Sequence, residues 1–340
     1  MIRVDGKQFN KALKLLSKGV PRSSVLPQLE YAQYMAKNGT LTLTTTNLDT
    51  FIKVTVLCEG YGEGNFHLKD VAKLTKGAKQ VKFGSDVLNA DGMVMQIYGI
   101  DADELPVMPK MSGESIALTP EFFTALSKAL PYVGTDELRP KFTTVWLNGS
   151  DIVGTDTHRM YVCNIGLDLP TCAIPGYAAA IFGLVFKEYS REAALLVNDR
   201  YASLTAENVA VITRLVEGEL PDYKKLVEGY ATPKAFAKVN GKAMQDAVTR
   251  LSAKSKEHIL VHVNKDRIKL TADGATVTVP AETDGENLEV IFNPLYLRDS
   301  LATFKDREEL ILEFFGERGP VVIHGDKELS LTLPQWDNKK

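Results

Sequence analysis

The sequence predicts an α+β protein built from three tandem repeats, each setting helices against antiparallel strands. Three observations predict this. The stretch Thr155-Asp156-Thr157-His158-Arg159-Met160 has weaker copies at Thr46-Asn47-Leu48-Asp49-Thr50 and Ala272-Asp273-Gly274-Ala275-Thr276. Aligning Asn47, Asp156 and Asp273 gives separations of 109 and 117 residues. Glu104-Leu105-Pro106 and Glu219-Leu220-Pro221 recur 115 residues apart. Helical and strand patterns also follow in the same order in each third, as two helix-plus-strands halves. Self-similarity at a fixed period marks one unit used several times. The boundaries fall near 115 and 232, giving domains of residues 1–115, 116–232 and 233–340.

The elements follow in order. A short strand at 2–4 leads into a helix at 7–18. At about 100° per residue, Lys7, Lys11, Lys14 and Lys18 share one stripe, opposite Phe9, Ala12, Leu13 and Leu16. Strands at 26–36 and 40–46 are joined by Lys37-Asn38-Gly39, a hairpin signal. A strand at 51–57 and a glycine-rich loop at 60–64 precede a second helix at 68–80, which carries Lys69, Lys73, Lys76 and Lys79. Short strands at 82–83, 87–88 and 93–100 complete the first repeat. In the second, Thr119-Pro120 supplies an N-cap and a first-turn proline. A hairpin is expected with strands at 143–147 and 152–154 and a turn at 148–151. A helix at 177–187 and strands at 193–197, 201–206 and 209–217 follow. The third repeat reads as a helix at 241–253, strands at 259–263, 267–272 and 276–281, a helix at 294–304, and strands at 310–315, 321–323 and 329–333.

Bulk properties narrow the function. The 340 residues suffice for two or three domains with their own cores. With 44% hydrophobic and 24% charged residues, the composition is that of an ordinary globular protein. A net charge of −3 excludes a generally basic coat but not a local basic surface. Cys58, Cys163 and Cys172 form no CxxC pair, which predicts reduced thiols and a cytoplasmic setting. The N-terminus shows no signal-peptide core, and the near-apolar run at 177–186 is too short to span a bilayer. No HExxH, zinc-type Cys/His spacing or GxxxxGK[ST] occurs, so no metal and no cofactor is expected.

At this point the residues resemble the bacterial sliding clamp family, the β subunit of DNA polymerase III. Leu26-Pro27 with 41–48 is similar to the family's "LP…LTLTATDLE". Glu104-Leu105-Pro106 is similar to "EFP", and Arg139-Pro140 with 155–160 to "RP…ATDGHRL". Residues 218–226 resemble "GEFPDYRRV", and 292–301 resemble "FNVKYLLDAL". The resemblance covers nearly the whole chain.

The resemblance implies three clamp domains per subunit and two subunits joined head to tail as a homodimeric ring. Helices would line the hole and sheets would form the outer wall. Such a protein is a processivity factor, not an enzyme: it encircles duplex DNA without reading sequence and tethers a DNA polymerase, and a clamp loader would place it. Phosphate attraction without base contacts suits sliding. The lining would comprise Lys7, Lys11, Lys14, Lys18, Arg22, Lys69, Lys73, Lys76, Lys79, Lys128, Lys187, Lys242, Arg250, Lys254 and Arg298. A partner-peptide cleft, taking apolar anchors and a glutamine, would comprise Phe142, Thr155, His158, Arg159, Met160, Pro221, Lys225, Leu226, Asn293, Tyr296, Leu333 and Pro334. The dimer interface would pair strand edges at 93–100 and 276–281, with Tyr98, Val277 and Val279 as apolar contacts.

The chain departs from the family pattern in three ways. Thr157 stands where the family usually has glycine, which implies a different turn geometry. The chain is somewhat short. Its end, Gln335-Trp336-Asp337-Asn338-Lys339-Lys340, replaces the family terminus and suggests a partner set of its own, as for a phage-encoded or otherwise divergent clamp. Two other readings stand beside the clamp. One is a clamp-like scaffold that binds proteins but does not encircle DNA. The other is a hydrolase in which Asp156 orients His158.

Overall fold

The computed structural model describes residues 1–21, 26–101 and 105–335. Arg22, Glu104 and Trp336 therefore lie outside the described residues. The helices among those described are α1 (Gly6–Leu16), α2 (Leu68–Leu74), α3 (Pro120–Ala129), α4 (Gly176–Glu188), α5 (Tyr223–Glu228), α6 (Gly241–Lys254) and α7 (Pro294–Thr303). The chain divides into two compact units, Met1–Phe123 with Tyr177–Leu215, and Thr124–Gly176 with Val216–Lys340. Residues of the middle third, 116–232, enter both.

The first unit holds an antiparallel sheet in the order Met93–Gln96, Val87–Ala90, Gln80–Phe83, Ile2–Asp5, Thr50–Glu59, Val209–Arg214, Tyr201–Ala206, Ala193–Val197, Ile116–Leu118. Thr40–Thr46 extends it beside Thr50–Glu59, and Tyr31–Lys37 pairs with both Thr40–Thr46 and Gly62–His67. α1 forms because Asp5 accepts from the Gln8 N–H at 2.9 Å and because Phe9, Ala12, Leu13, Leu15 and Leu16 bury one face. Phe9 packs on Phe83 and Phe66 with ring centroids 5.6 and 6.3 Å apart.

The second unit holds a sheet in the order Thr144–Thr155, Arg159–Pro175, Glu328–Thr332, Val321–His324, Glu309–Phe314, Ala235–Asn240, Ala275–Gly285, Arg267–Ala272, Ile259–Asn264, Leu288–Phe292. Asn240 caps α6 at 2.9 Å. Asn293 caps α7 through the Leu295 and Tyr296 N–H groups. The core beneath α6 and α7 gathers Met244, Val248, Leu251, Leu297 and Leu301 with inward strand residues such as Val261 and Phe292. The strand-to-helix junctions of α1 and α6 match. Each helix opens on a glycine, and an added Cβ would lie 2.0 Å from Ala78 O at Gly6 and 2.7 Å from Arg307 O at Gly241.

Several expected elements differ. The strand expected at 26–36 begins only at Tyr31, because Pro27–Glu30 forms a 3-10 turn with Pro27 at its start. The second helix stops at Leu74 rather than 80. Thr75 Oγ1 donates back to Val71 O at 2.8 Å and Gly77 takes φ +81°. The strand expected at 93–100 ends at Gln96. Residues 148–151 are not a turn. They form a bulge inside the continuous strand Thr144–Thr155, with register shifts around Gly149, whose φ is +58°.

Candidate functional site

The hairpin turn sits one step further along, at 156–158. Thr155 pairs with Met160 across it. Asp156 Oδ1 accepts the N–H groups of His158 (2.9 Å) and Arg159 (3.0 Å), and Thr155 Oγ1 accepts the Thr157 N–H at 3.2 Å. The turn at 47–50 repeats this design. Asn47 Oδ1 accepts the Thr50 N–H and Thr46 Oγ1 accepts the Leu48 N–H. Leu48 and Thr157 both have φ +80°. Thr157 thus takes a positive φ, the conformation glycine favours, and the side-chain acceptors at 155 and 156 hold it there. The third copy differs. Ala272 pairs with Ala275 around a two-residue turn, with φ +44° at Asp273 and +76° at Gly274.

Arg159 ties the turn to α7. Its side chain is 9% exposed. Nε donates to Asp156 Oδ2 at 3.0 Å and Nη1 to Asp299 Oδ2 at 2.7 Å. The guanidinium lies 4.3 Å from the Tyr296 ring centroid, a cation–π contact, and the His158 ring stacks on Tyr296 at 6.1 Å. The Leu333 N–H donates to His158 O at 2.9 Å, fastening the last described strand to the turn. The Asp156 carboxylate is thus held by backbone N–H groups and Arg159 and does not orient the His158 imidazole. The hydrolase reading lacks its geometry.

Beside this turn lies a cavity of about 260 Å³, entirely within the second unit. Of the residues expected in a cleft, Phe142, Thr155, Arg159, Met160, Pro221, Leu226 and Leu333 line it. His158, Lys225, Asn293, Tyr296 and Pro334 do not: Asn293 is spent on capping α7, and His158 and Tyr296 stack on each other beside Arg159. Val153, Thr157, Leu220, Asp222, Tyr223 and Leu331 also line the cavity and were not anticipated. Strand alternation carries the missing signal: Val153 lies two residues from Thr155, and Leu331 two from Leu333, on the same faces. Behind the wall, Trp146, Met160, Tyr223, Val322 and Leu331 form a small core. Tyr223 is fixed by its hydroxyl, which donates to the buried Asp151 carboxylate at 2.6 Å. Burial, and then this bond, push the Tyr223 phenol up to about 12.

The basic residues are distributed as follows. Lys7, Lys11, Lys14 and Lys18 are exposed, Lys18 just beyond the end of α1. Within the first unit, Lys11 Nζ donates to Glu188 O at 2.6 Å and lies over Tyr189, and Lys14 pairs with Glu188 at 3.3 Å. Lys69 and Lys73 are exposed on α2, and Lys76 and Lys79 follow it. Lys187, Lys242, Arg250 and Lys254 are exposed. Lys128 is half-buried and donates to Glu328 Oε1 at 2.7 Å. Arg298 is half-buried against Asp299.

Of the strand edges left open among the described residues, two correspond to the segments expected at 93–100 and 276–281. Met93–Gln96 is the outermost strand of the first sheet, and Met93, Val94 and nearby Tyr98 are 59%, 64% and 72% exposed. Ala275–Gly285 pairs with Ala235–Asn240 only through 281–285, so its 275–280 half has one open side. Val279, expected to present an apolar contact at this edge, points inward instead. It is 3% exposed in its own unit's core, with Val277 packed against the same core, because alternate residues of the strand point inward.

No family model matches the chain. Its sequence is 25% identical to a beta sliding clamp of Staphylococcus epidermidis over an alignment 365 positions long, gaps included, covering 96% of this chain and 94% of the relative. A Staphylococcus aureus beta sliding clamp is 26% identical with the same coverage. Among solved structures, the DNA polymerase sliding clamp of Bacillus subtilis superposes with TM-score 0.88 at 20% identity, covering 99% of both chains. The beta sliding clamp of C. crescentus does so with TM-score 0.90 at 18% identity and the same coverage. The fold of this chain is the sliding-clamp fold.

Proposed function

We propose that this chain is a DNA sliding clamp, a non-catalytic processivity factor that encircles duplex DNA and tethers a replicative polymerase. The observation that carries this reading is a coincidence in one chain. Whole-length likeness to beta sliding clamps accompanies an apolar cavity built on the 155–160 hairpin, where a partner cleft is expected from the resemblance. The cavity suits a short peptide with apolar anchors: its walls are mostly apolar, the Thr155 hydroxyl and the Arg159 guanidinium being engaged by Arg159 O, Asp156 and Asp299.

Three repeated domains with boundaries near 115 and 232 complete the proposal, and two copies close a ring. The exposed strand Met93–Gln96 of one copy adds to the open 275–280 edge of the other. Met93, Val94 and Tyr98 supply apolar contact in place of Val279. Exposed lysines on α1, α2 and α6 give the sequence-independent attraction to phosphates that sliding requires, while Lys128 and Arg298 are occupied by carboxylates. A clamp loader and a bacterial cytoplasmic setting belong to the same proposal. No helix among the described residues is long and apolar enough to cross a membrane.

Solution mass tests the ring. Light scattering across a dilution series is expected to give about twice the 37.4 kDa of the chain. A persistent monomer favours the non-encircling scaffold.

A further inference from the structure

We infer that Thr157 is a specificity-determining residue of the cavity: its branched side chain, held in a strained backbone conformation, narrows the mouth and selects the size of the apolar anchor that enters. The inference rests on reading the cavity as the partner-peptide cleft. Threonine is an expensive choice at this position. A β-branched residue at φ +80° is a conformational outlier, and glycine would adopt the same turn without strain. The strain is sustained locally by the Thr157 N–H on Thr155 Oγ1 and by the two N–H groups on Asp156 Oδ1.

The turn at 47–50 shows what the geometry alone demands. It places φ +80° at the same step and tolerates Leu48, which is 47% exposed. The turn itself therefore does not require threonine. What distinguishes position 157 is that the residue lines the cavity, together with Phe142, Pro221 and Leu226. Strained residues persist where the surroundings over-determine them, and they cluster at functional sites. A threonine here contributes a methyl group that takes up room and a hydroxyl that can bond to a peptide backbone group. Glycine would remove both. Asparagine tolerates positive φ yet still fills the mouth.

Three peptides test this. Each is an otherwise identical octapeptide with one glutamine and two apolar anchors, the last anchor being Leu, Phe or Trp. Dissociation constants are measured by fluorescence anisotropy for the wild-type chain, Thr157→Gly and Thr157→Asn, together with their melting temperatures. Wild type is expected to favour Leu over Trp. In Thr157→Gly the ratio of the Trp-peptide to Leu-peptide constants should fall about tenfold, the scale of a small group in an apolar pocket. In Thr157→Asn the ratio should stay within about threefold of wild type while the melting temperature rises. Unchanged ratios in both variants overturn the inference, leaving Thr157 a turn residue only. A ratio that falls equally in both also overturns it, since strain rather than size would then set selectivity. If none of the peptides binds any of the three proteins, the cleft reading fails, and the inference fails with it.

Discussion

Arg159 concentrates the energetics of the turn. A nearly buried guanidinium facing Asp156 and Asp299 is a poor source of net stability, but removing it leaves the buried Asp156 carboxylate without its cation and Asp299 with Arg298 alone. Arg159→Ala should cost about 3 kcal/mol in urea unfolding, while Asp299→Asn should cost less because Asp156 still pairs with the arginine. Tyr223→Phe should cost about 1–2 kcal/mol, since the buried Asp151 carboxylate loses a donor. The substitution also has a pH signature. With the folded phenol raised to about 12 and the unfolded phenol at 10.0, its stabilisation is complete below pH 10 and lost as pH rises through 12. The wild-type minus Tyr223→Phe difference in unfolding free energy should therefore shrink across that window, and a flat difference would show that the phenol is not linked. At this scale the sequence was only partly legible. Asp156 and Arg159 stand out as residue types, but that they face each other rather than His158 depends on a turn conformation no spacing reveals. Tyr223 and Leu331 are core residues that also wall the cavity, a double role that no residue spacing reveals.

Periodicity carried the helices well and their ends badly. The apolar stripe of α1 is buried as its spacing predicts, because burial of one face is what stabilises so short a helix. α2 was over-extended because the spacing of Lys69, Lys73, Lys76 and Lys79 continues past Leu74, where the Thr75 back-bond and Gly77 end the helix. The bulge at Gly149 was misread as a turn for a similar reason: Asn-Gly marks positive φ, and a bulge uses it as well as a hairpin does. Charge reversal should separate fold from DNA attraction. The triple variant Lys7→Glu, Lys18→Glu, Lys73→Glu changes exposed side chains only. It should keep its melting temperature within about 2 °C while losing most of its retention on circular DNA and part of its salt dependence. Unchanged retention would remove α1 and α2 from the DNA-facing surface.

Across the whole molecule, the repeat was visible because its turns preserve side-chain acceptors 109 residues apart, Asn47 and Asp156, although few other residues match. The compact units were not visible. Long strands recruit residues from neighbouring thirds into one sheet, as Val209–Arg214 does beside Thr50–Glu59, and one-dimensional spacing carries no record of such pairing. The proposed dimer edge was half legible: alternation flagged 276–281, but only the paired register shows which side is open and that Val279 points inward. Met93→Lys with Tyr98→Lys should halve the solution mass without unfolding the chain, because both positions are exposed and each lysine would place a charge on the edge. The central claim is topological, and one comparison tests it most directly: the chain is loaded by a bacterial clamp loader with ATP onto a nicked DNA circle, isolated at high salt, and followed before and after the circle is cut. A sliding ring stays on the circle and runs off the cut ends; a chain held equally by circle and line would contradict encirclement.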